Sequence, residues 1–196
     1  MLSYSRGPAH ALWEKTIGQV LDQTVERWGD CLALVSRHSS KRYSWRELRE
    51  LADSVARGLW SLGIRPGDRV GLWSTNCVEW VMLQLGCARA GAILVNVNPA
   101  YRTHELAFTL RKSRMKALFL WERDSHAEYA QILEEARHGQ TLPLEHVVFS
   151  ERRHGKSFCA QNPKIVPRSS LSQSSPKTSP IFSTPREPPA CRRECC

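Results

Sequence analysis

Residues 63–101 read GIRPGDRVGLWSTNCVEWVMLQLGCARAGAILVNVNPAY, and their punctuation predicts one β-α-β unit. Pro66-Gly67 marks a turn, and Arg69–Trp73 is a short, mostly apolar strand. Asn76 stands where an N-cap is needed, with Glu79 three residues on; the helix that follows is apolar nearly all round and stops at Gly91. Ala92–Val97 then reads as a second strand, buried in the manner of parallel sheets. Two parallel strands joined by a helix require a right-handed crossover and cover on both faces of the sheet. The flanking sequence therefore has to supply helices on either side.

Upstream it does so. Thr16 and Gln19 form a capping-box pattern, followed at helical spacing by Ile17, Val20, Leu21, Val25 and Trp28, with Gly29 as the stop. Cys31–Ser36 and Lys41–Tyr43 predict a hairpin around a polar turn. Ser44 and Glu47 are a second capping box, and Leu48, Leu51, Ala52, Val55, Ala56, Leu59 and Leu62 lay an apolar stripe that ends at Gly63. Downstream, Asn98-Pro99 turns the chain because the residue before proline avoids the helical region. Thr103 is placed to cap a helix running through Leu106, Ala107 and Leu110 to about Ser113. Lys116–Trp121 is the next strand, Tyr129, Ile132, Leu133 and Ala136 mark a helix stopped near Gly139, and Val147–Phe149 is a last strand. Alternation of this kind predicts an α/β fold: a partial, mostly parallel layered sheet flanked by helices.

Composition divides the chain near Ser150. Residues 1–150 hold 19 Lys/Arg against 16 Asp/Glu, all seven Trp and four Pro, whereas 151–196 hold 9 Lys/Arg against 3 Asp/Glu, seven Pro, eight Ser and no Trp. The second stretch has too few apolar residues at any fixed spacing to offset the entropy of ordering it, so it is expected to be a disordered basic tail. Charge spread this way, without interleaved aromatics, predicts no nucleic-acid partner. No transmembrane segment is expected either, since the most apolar run, Trp80–Val97, is broken by Gln84, Arg89 and Asn96. Cys31, Cys77 and Cys87 lie in or beside apolar segments and read as free thiols of a reducing compartment.

With those residues laid out, the first 150 resemble the N-terminal portion of AMP-forming acyl-CoA synthetases, members of the adenylate-forming ligases. Tyr43, Ser44, Glu47 and Leu48 are similar to the family's opening motif, and Gly63, Ile64, Gly67, Asp68, Arg69 and Val70 to its G-(V/I)-x-x-G-D-R-V. Asn76, Glu79 and Trp80 match N-x-x-E-W; Ala90, Gly91 and Ala92 match the A-G-A that follows; Asn98, Pro99, Tyr101, Arg102, Glu105 and Leu106 match N-P-x-Y-R-x-x-E-L. Five matches in family order make the resemblance specific. The form VNVNPAYRTHEL is most similar to the medium-chain type, which in animals is mitochondrial.

The resemblance implies a ligase that activates a fatty acid as acyl-AMP and passes it to CoA, with ATP, Mg and CoA as cofactors. It implies a mitochondrial location; if Met1 is the true start, the absence of a presequence pattern predicts a cytoplasmic one. It also implies that the matched residues build scaffold, and no catalytic, cofactor-binding or metal-binding residue is assigned among them. The family's phosphate loop ending in Pro-Lys-Gly, its aromatic-Thr-Glu segment, its ribose-binding Asp and its C-terminal Lys domain have no counterpart in the 196 residues. The expectation is a truncated form, inactive alone; the alternative is a non-catalytic module that binds the full-length enzyme or another partner.

Three features after Ser150 are similar to functional motifs in part. Gly155, Lys156 and Ser157 match the end of a P-loop, but Ser150 stands where its first Gly belongs. Ser175, Pro176 and Lys177 share two letters with Pro-Lys-Gly and lack its Gly. Cys191, Cys195 and Cys196 lack a second ligand pair and a CaaX box, so exposed thiols are the expected reading. The seven histidines, His10, His38, His104, His126, His138, His146 and His154, form no H-E-x-x-H pattern and are expected at surfaces and caps.

Overall fold

A computed structural model describes residues 7–8, 12–37, 39–125, 127–138, 142–150 and 164–167. The capping boxes set two helix starts as expected. In α1 (Ile17–Trp28) the Thr16 hydroxyl accepts the Gln19 N–H at 3.2 Å and the Gln19 side chain accepts the Thr16 N–H at 2.8 Å. In α2 (Trp45–Ser61) Ser44 and Glu47 reciprocate in the same way at 3.2 and 2.8 Å. Between them, β1 (Leu32–Ser36) and β2 (Lys41–Ser44) pair antiparallel as a separate hairpin.

The remaining strands form one sheet: β3 (Arg69–Trp73), β4 (Ile93–Val97), β5 (Ala117–Trp121), β6 (His146–Ser150) and β7 (Lys164–Pro167), in the order β4-β3-β5-β6-β7. The first four are mutually parallel, joined through α3 (Val78–Ala90), α4 (Thr103–Ser113) and α5 (Tyr129–Arg137). On one face Val70, Leu72, Ala117, Phe119 and Val148 pack with α2 and α3; on the other Leu118, Leu120 and Val147 pack with α4 and α5. Helix α1 lies outside, bound to α2 through Leu21, Val25 and Ala52. Arg89 of α3 donates to Asp22 at 2.6 Å and Asp53 at 2.7 Å, fastening the three helices together.

Four expectations are corrected. Among the described residues strand β4 is an edge of the sheet and only Val97 of it is buried, because β5 pairs with the far side of β3 instead of with β4. Asn76 is not the cap of α3: Cys77 stays extended (φ −153°, ψ 169°) and holds that position without a side-chain bond, while Glu79 turns to Lys41 at 3.8 Å. Thr103 is likewise inside α4. Arg102 is the cap, its N–H bonded to the Glu105 carboxylate at 3.1 Å, and the Thr103 hydroxyl donates to Glu135 at 2.8 Å. Finally, Lys164–Pro167, within the stretch expected to be without order, pairs antiparallel with β6. Ile165 and Val166 favour extended backbone, but a run of four is too short to show periodicity in sequence. The motif-like residues Gly155–Ser157, Ser175–Lys177, Cys191, Cys195 and Cys196 lie outside the described residues, as do His10, His38, His126 and His154.

Candidate functional site

After β3 the chain crosses to β4 on one side, and after β4 it crosses back over β3 to β5 on the other. The strand order therefore reverses beside β3, and in open α/β sheets ligands bind outside the carboxyl ends of the strands at such a reversal. The carboxyl ends here are Trp73, Val97, Trp121 and the residues just after them.

Two cavities open at this place. An open one of about 480 Å³ lies between the ends of β3 and β4, lined by Ser74, Thr75, Asn76, Trp80, Asn96, Val97, Asn98 and Pro99. A second, of about 20 Å³, lies beside it at β3 and β5, lined by Leu72, Ser74, Cys77, Glu79, Leu83, Phe119, Leu120 and Trp121. That is space for about one water molecule. Ser74 borders both and is 8 % exposed, with its hydroxyl 3.9 Å from the Cys77 sulfur.

One buried aromatic fixes the frame of the larger cavity. Trp73 is fully buried, and its indole N–H donates to the Asn98 carbonyl at 3.1 Å. Its ring meets Tyr129 edge-on at 4.8 Å, and the Tyr129 hydroxyl donates to Asp124 at 2.9 Å. Asn98 in turn accepts the Ala100 N–H on its side chain at 2.9 Å and the Tyr101 N–H on its carbonyl at 3.0 Å, so the turn that walls the cavity hangs from Trp73.

The polar lining of the larger cavity is hydroxyl, carboxamide and indole, and the smaller one adds the Cys77 thiol and the Glu79 carboxylate. Burial, with the Glu79 charge adding, pushes the Cys77 thiol up to about 11, so near neutral pH it is protonated and a poor nucleophile. No lysine or arginine lines either cavity, and no cluster of three metal-ligating side chains occurs among the described residues. These residues can hold an uncharged polar group. They do not fit a nucleoside triphosphate or its magnesium ion, which need cationic and carboxylate partners.

The family-motif residues divide between the two ends of the sheet. Gly63, Gly67 and Gly91 gather at the amino end with φ of +77°, +87° and +73°, and Gly67 donates to the Gly91 carbonyl at 2.9 Å. Asn76, Glu79, Asn98 and Pro99 come together at the carboxyl end, around the cavities. His104 sits exposed in the first turn of α4, and His146 is half-buried at the start of β6. Trp80 is among the motif residues, whereas Ser74 and Asn96 belong to the site without having been matched to a motif in sequence. Their signal is position: each follows or faces the end of a parallel strand, and only the strand order reveals which ends adjoin.

A family model described as "AMP-binding enzyme" matches residues 21–188. The mouse protein "Medium-chain acyl-CoA ligase ACSF2, mitochondrial" is 42% identical over 135 residues, covering 68% of this chain and 22% of the relative. Its bovine counterpart is 44% identical over 124 residues, covering 63% and 20%. The chain thus spans about a fifth of the length of the curated relatives it matches. Among solved structures, a Mycobacterium tuberculosis fatty acyl CoA synthetase superposes with a TM-score of 0.63 at 28% identity, over 69% of this chain and 26% of that one. The anthranilate CoA ligase AuaEII, solved with anthranoyl-AMP, gives 0.61 at 26% identity over 69% and 25%.

Proposed function

The chain belongs to the AMP-binding enzyme family, and from that premise we propose that residues 1–150 are the N-terminal portion of a fatty acid–CoA ligase of the mitochondrial medium-chain type. The observation that carries this reading is the 42% identity over 135 residues to the mouse medium-chain ligase. The parent reaction condenses a fatty acid with ATP to an acyl-AMP and then transfers the acyl group to CoA. In it, the described residues act as scaffold, because neither cavity is lined by a positive charge to position a triphosphate or to stabilise negative charge in the transition state.

Two assays test the proposal. Residues 21–150 of this chain, exchanged for the matching segment of the mouse ligase, should leave octanoyl-CoA formation within about tenfold of the parent, the loss expected of a well-folded scaffold substitution. A folded chimera with no turnover would refute the assignment. The 196-residue chain alone, given octanoate, ATP, magnesium and CoA, should form no thioester.

The open edge of the sheet favours a second reading, a non-catalytic module that joins the full-length ligase. Strand β4 ends the sheet with Ile93 48% exposed and no charged residue along Ile93–Val97, a combination that invites another strand. Co-expression with the mouse ligase and capture through a tag on this chain would retain the ligase under this reading and lose it under the first.

A further inference from the structure

We propose that the β1–β2 hairpin, with the end of α1 beside it, is a docking surface for an anionic lipid membrane. The inference stands apart from the ligase assignment and uses the outward face of the hairpin, away from the side packed on α2 and α3. Trp28, Leu32 and Val35 are 46%, 51% and 45% exposed. The Cys31 N–H closes onto the Trp28 carbonyl at 3.0 Å, which keeps Trp28 next to the start of β1.

Strict strand alternation would send Leu32 and Val35 to opposite faces. The register shift between Leu32 and Leu34 reverses that, turning both outward while Leu34 and Tyr43 pack inward against the core of α2 and α3. An irregularity in a hairpin this short thus places apolar side chains together in water.

Cations rim the same face. Arg42 pairs directly across from Val35, Arg37 follows at the end of β1, and both are exposed with no ion pair among the described residues. Residues 31–46 contain Arg37, Lys41, Arg42 and Arg46 and no Asp or Glu. Lys41 and Arg46 are engaged with Glu79 and Asp30, which leaves the two outward arginines for an external anion.

An anionic bilayer satisfies both halves of the surface at once, burying indole and aliphatic side chains at the acyl boundary while guanidinium groups meet phosphate and carboxylate head groups. A nucleic acid would use the arginines and leave Leu32 and Val35 in water. An acidic protein groove would take the charge without requiring a fluid apolar phase. The apolar members therefore decide between these partners.

The test is co-sedimentation of the 196-residue chain with phosphatidylcholine vesicles, with and without about 30 % phosphatidylserine at about 0.1 M salt. The anionic vesicles should bind and the zwitterionic ones should not. Arg37→Gln and Arg42→Gln should each lower partitioning roughly fivefold. Leu32→Ser with Val35→Ser should lower it at unchanged charge. Arg57→Gln with Lys112→Gln, exposed cations on α2 and α4, removes equal charge elsewhere and should change it little. Far-UV circular dichroism establishes that each variant is folded. The proposal is overturned if the Arg57/Lys112 pair matters as much as the hairpin pair, which would place attraction in overall charge or in the basic stretch after Ser150. It is overturned equally if the serine pair has no effect, the behaviour of a nucleic-acid or protein-binding face, or if anionic vesicles are not bound.

Discussion

The two ends of the parallel sheet are held by opposite means. At the amino end, many modest ties cross from loop to loop: Ile93 N–H to the Asp68 carbonyl, Lys116 N–H to Arg69 and Glu145 N–H to Lys116, each at 2.8 Å. The Lys116 ammonium adds bonds to the Gly63 carbonyl at 3.0 Å and Asp68 at 3.3 Å. At the carboxyl end the loops after β3 and β4 stand apart around an open cavity, and one fully buried indole beneath them carries the turn at Asn98. The difference teaches how a sheet can be both stable and receptive. Ties across the top would fill the space a ligand needs, so position there has to come from below, concentrated in a side chain that water does not reach.

Concentration makes the carboxyl end vulnerable to a single substitution. Trp73→Ala removes a fully buried ring that touches Tyr129 and holds Asn98, and should cost about 3–5 kcal/mol in urea unfolding, the range for large-to-small changes in cores. Trp73→Phe keeps most of the apolar volume and loses the N–H, so about 1 kcal/mol is expected. If both variants lost the same amount, the hydrogen bond to Asn98 would matter more than the packing, and the picture of a buried support would fail.

The amino end should resist better. Gly91 ends α3 at φ +73°, and a methyl group there would stand 3.1 Å from Pro66. Gly91→Ala should cost about 1–2 kcal/mol, the strain of a left-handed non-glycine residue, because the neighbouring ties remain in place. A loss as large as that of Trp73→Ala would erase the contrast between the ends.

Much of this was legible in the residues. The strand at Arg69–Trp73, the stripe of α2 and the two capping boxes follow from local rules, since their partners lie within a few positions. The family resemblance read from Gly63, Gly67, Asp68, Asn98 and Pro99 agrees with the match to AMP-binding enzymes. What was not legible depends on which strands adjoin. Nothing in Ala92–Val97 says that its neighbour on one side is missing, so an edge strand looked like an inner one. The cavity escaped notice for the same reason, because Ser74 and Asn98 become neighbours only when β3 and β4 are set side by side. The caps at Asn76 and Thr103 were misplaced by one position each, where the tertiary partners Lys41 and Glu135 drew Glu79 and Thr103 away from capping.

Titration should separate the ends most finely. At the amino end, the Arg65 N–H and then Lys116 hold the Asp68 carboxyl below its usual range, so its contribution is present above the ordinary Asp value of 3.8 and is lost as pH falls through the lowered one. At the carboxyl end, burial raises the Cys77 thiol from 9.0 to about 11, and the unfolded chain gives up that proton first. Stability therefore declines as pH rises above about 9, by roughly 1 kcal/mol near pH 9.5 from this thiol. Cys87, buried beneath α2 and pushed up to about 12, adds a decline of the same sign. Cys77→Ala should flatten part of the alkaline limb and leave the acid limb untouched, whereas Asp68→Asn should do the reverse. Urea midpoints measured from pH 3 to 10 on the three proteins would show it. An alkaline limb unchanged in Cys77→Ala would mean that the thiol is reached by water, and that the carboxyl end is open more deeply than the side chain of Trp73 allows.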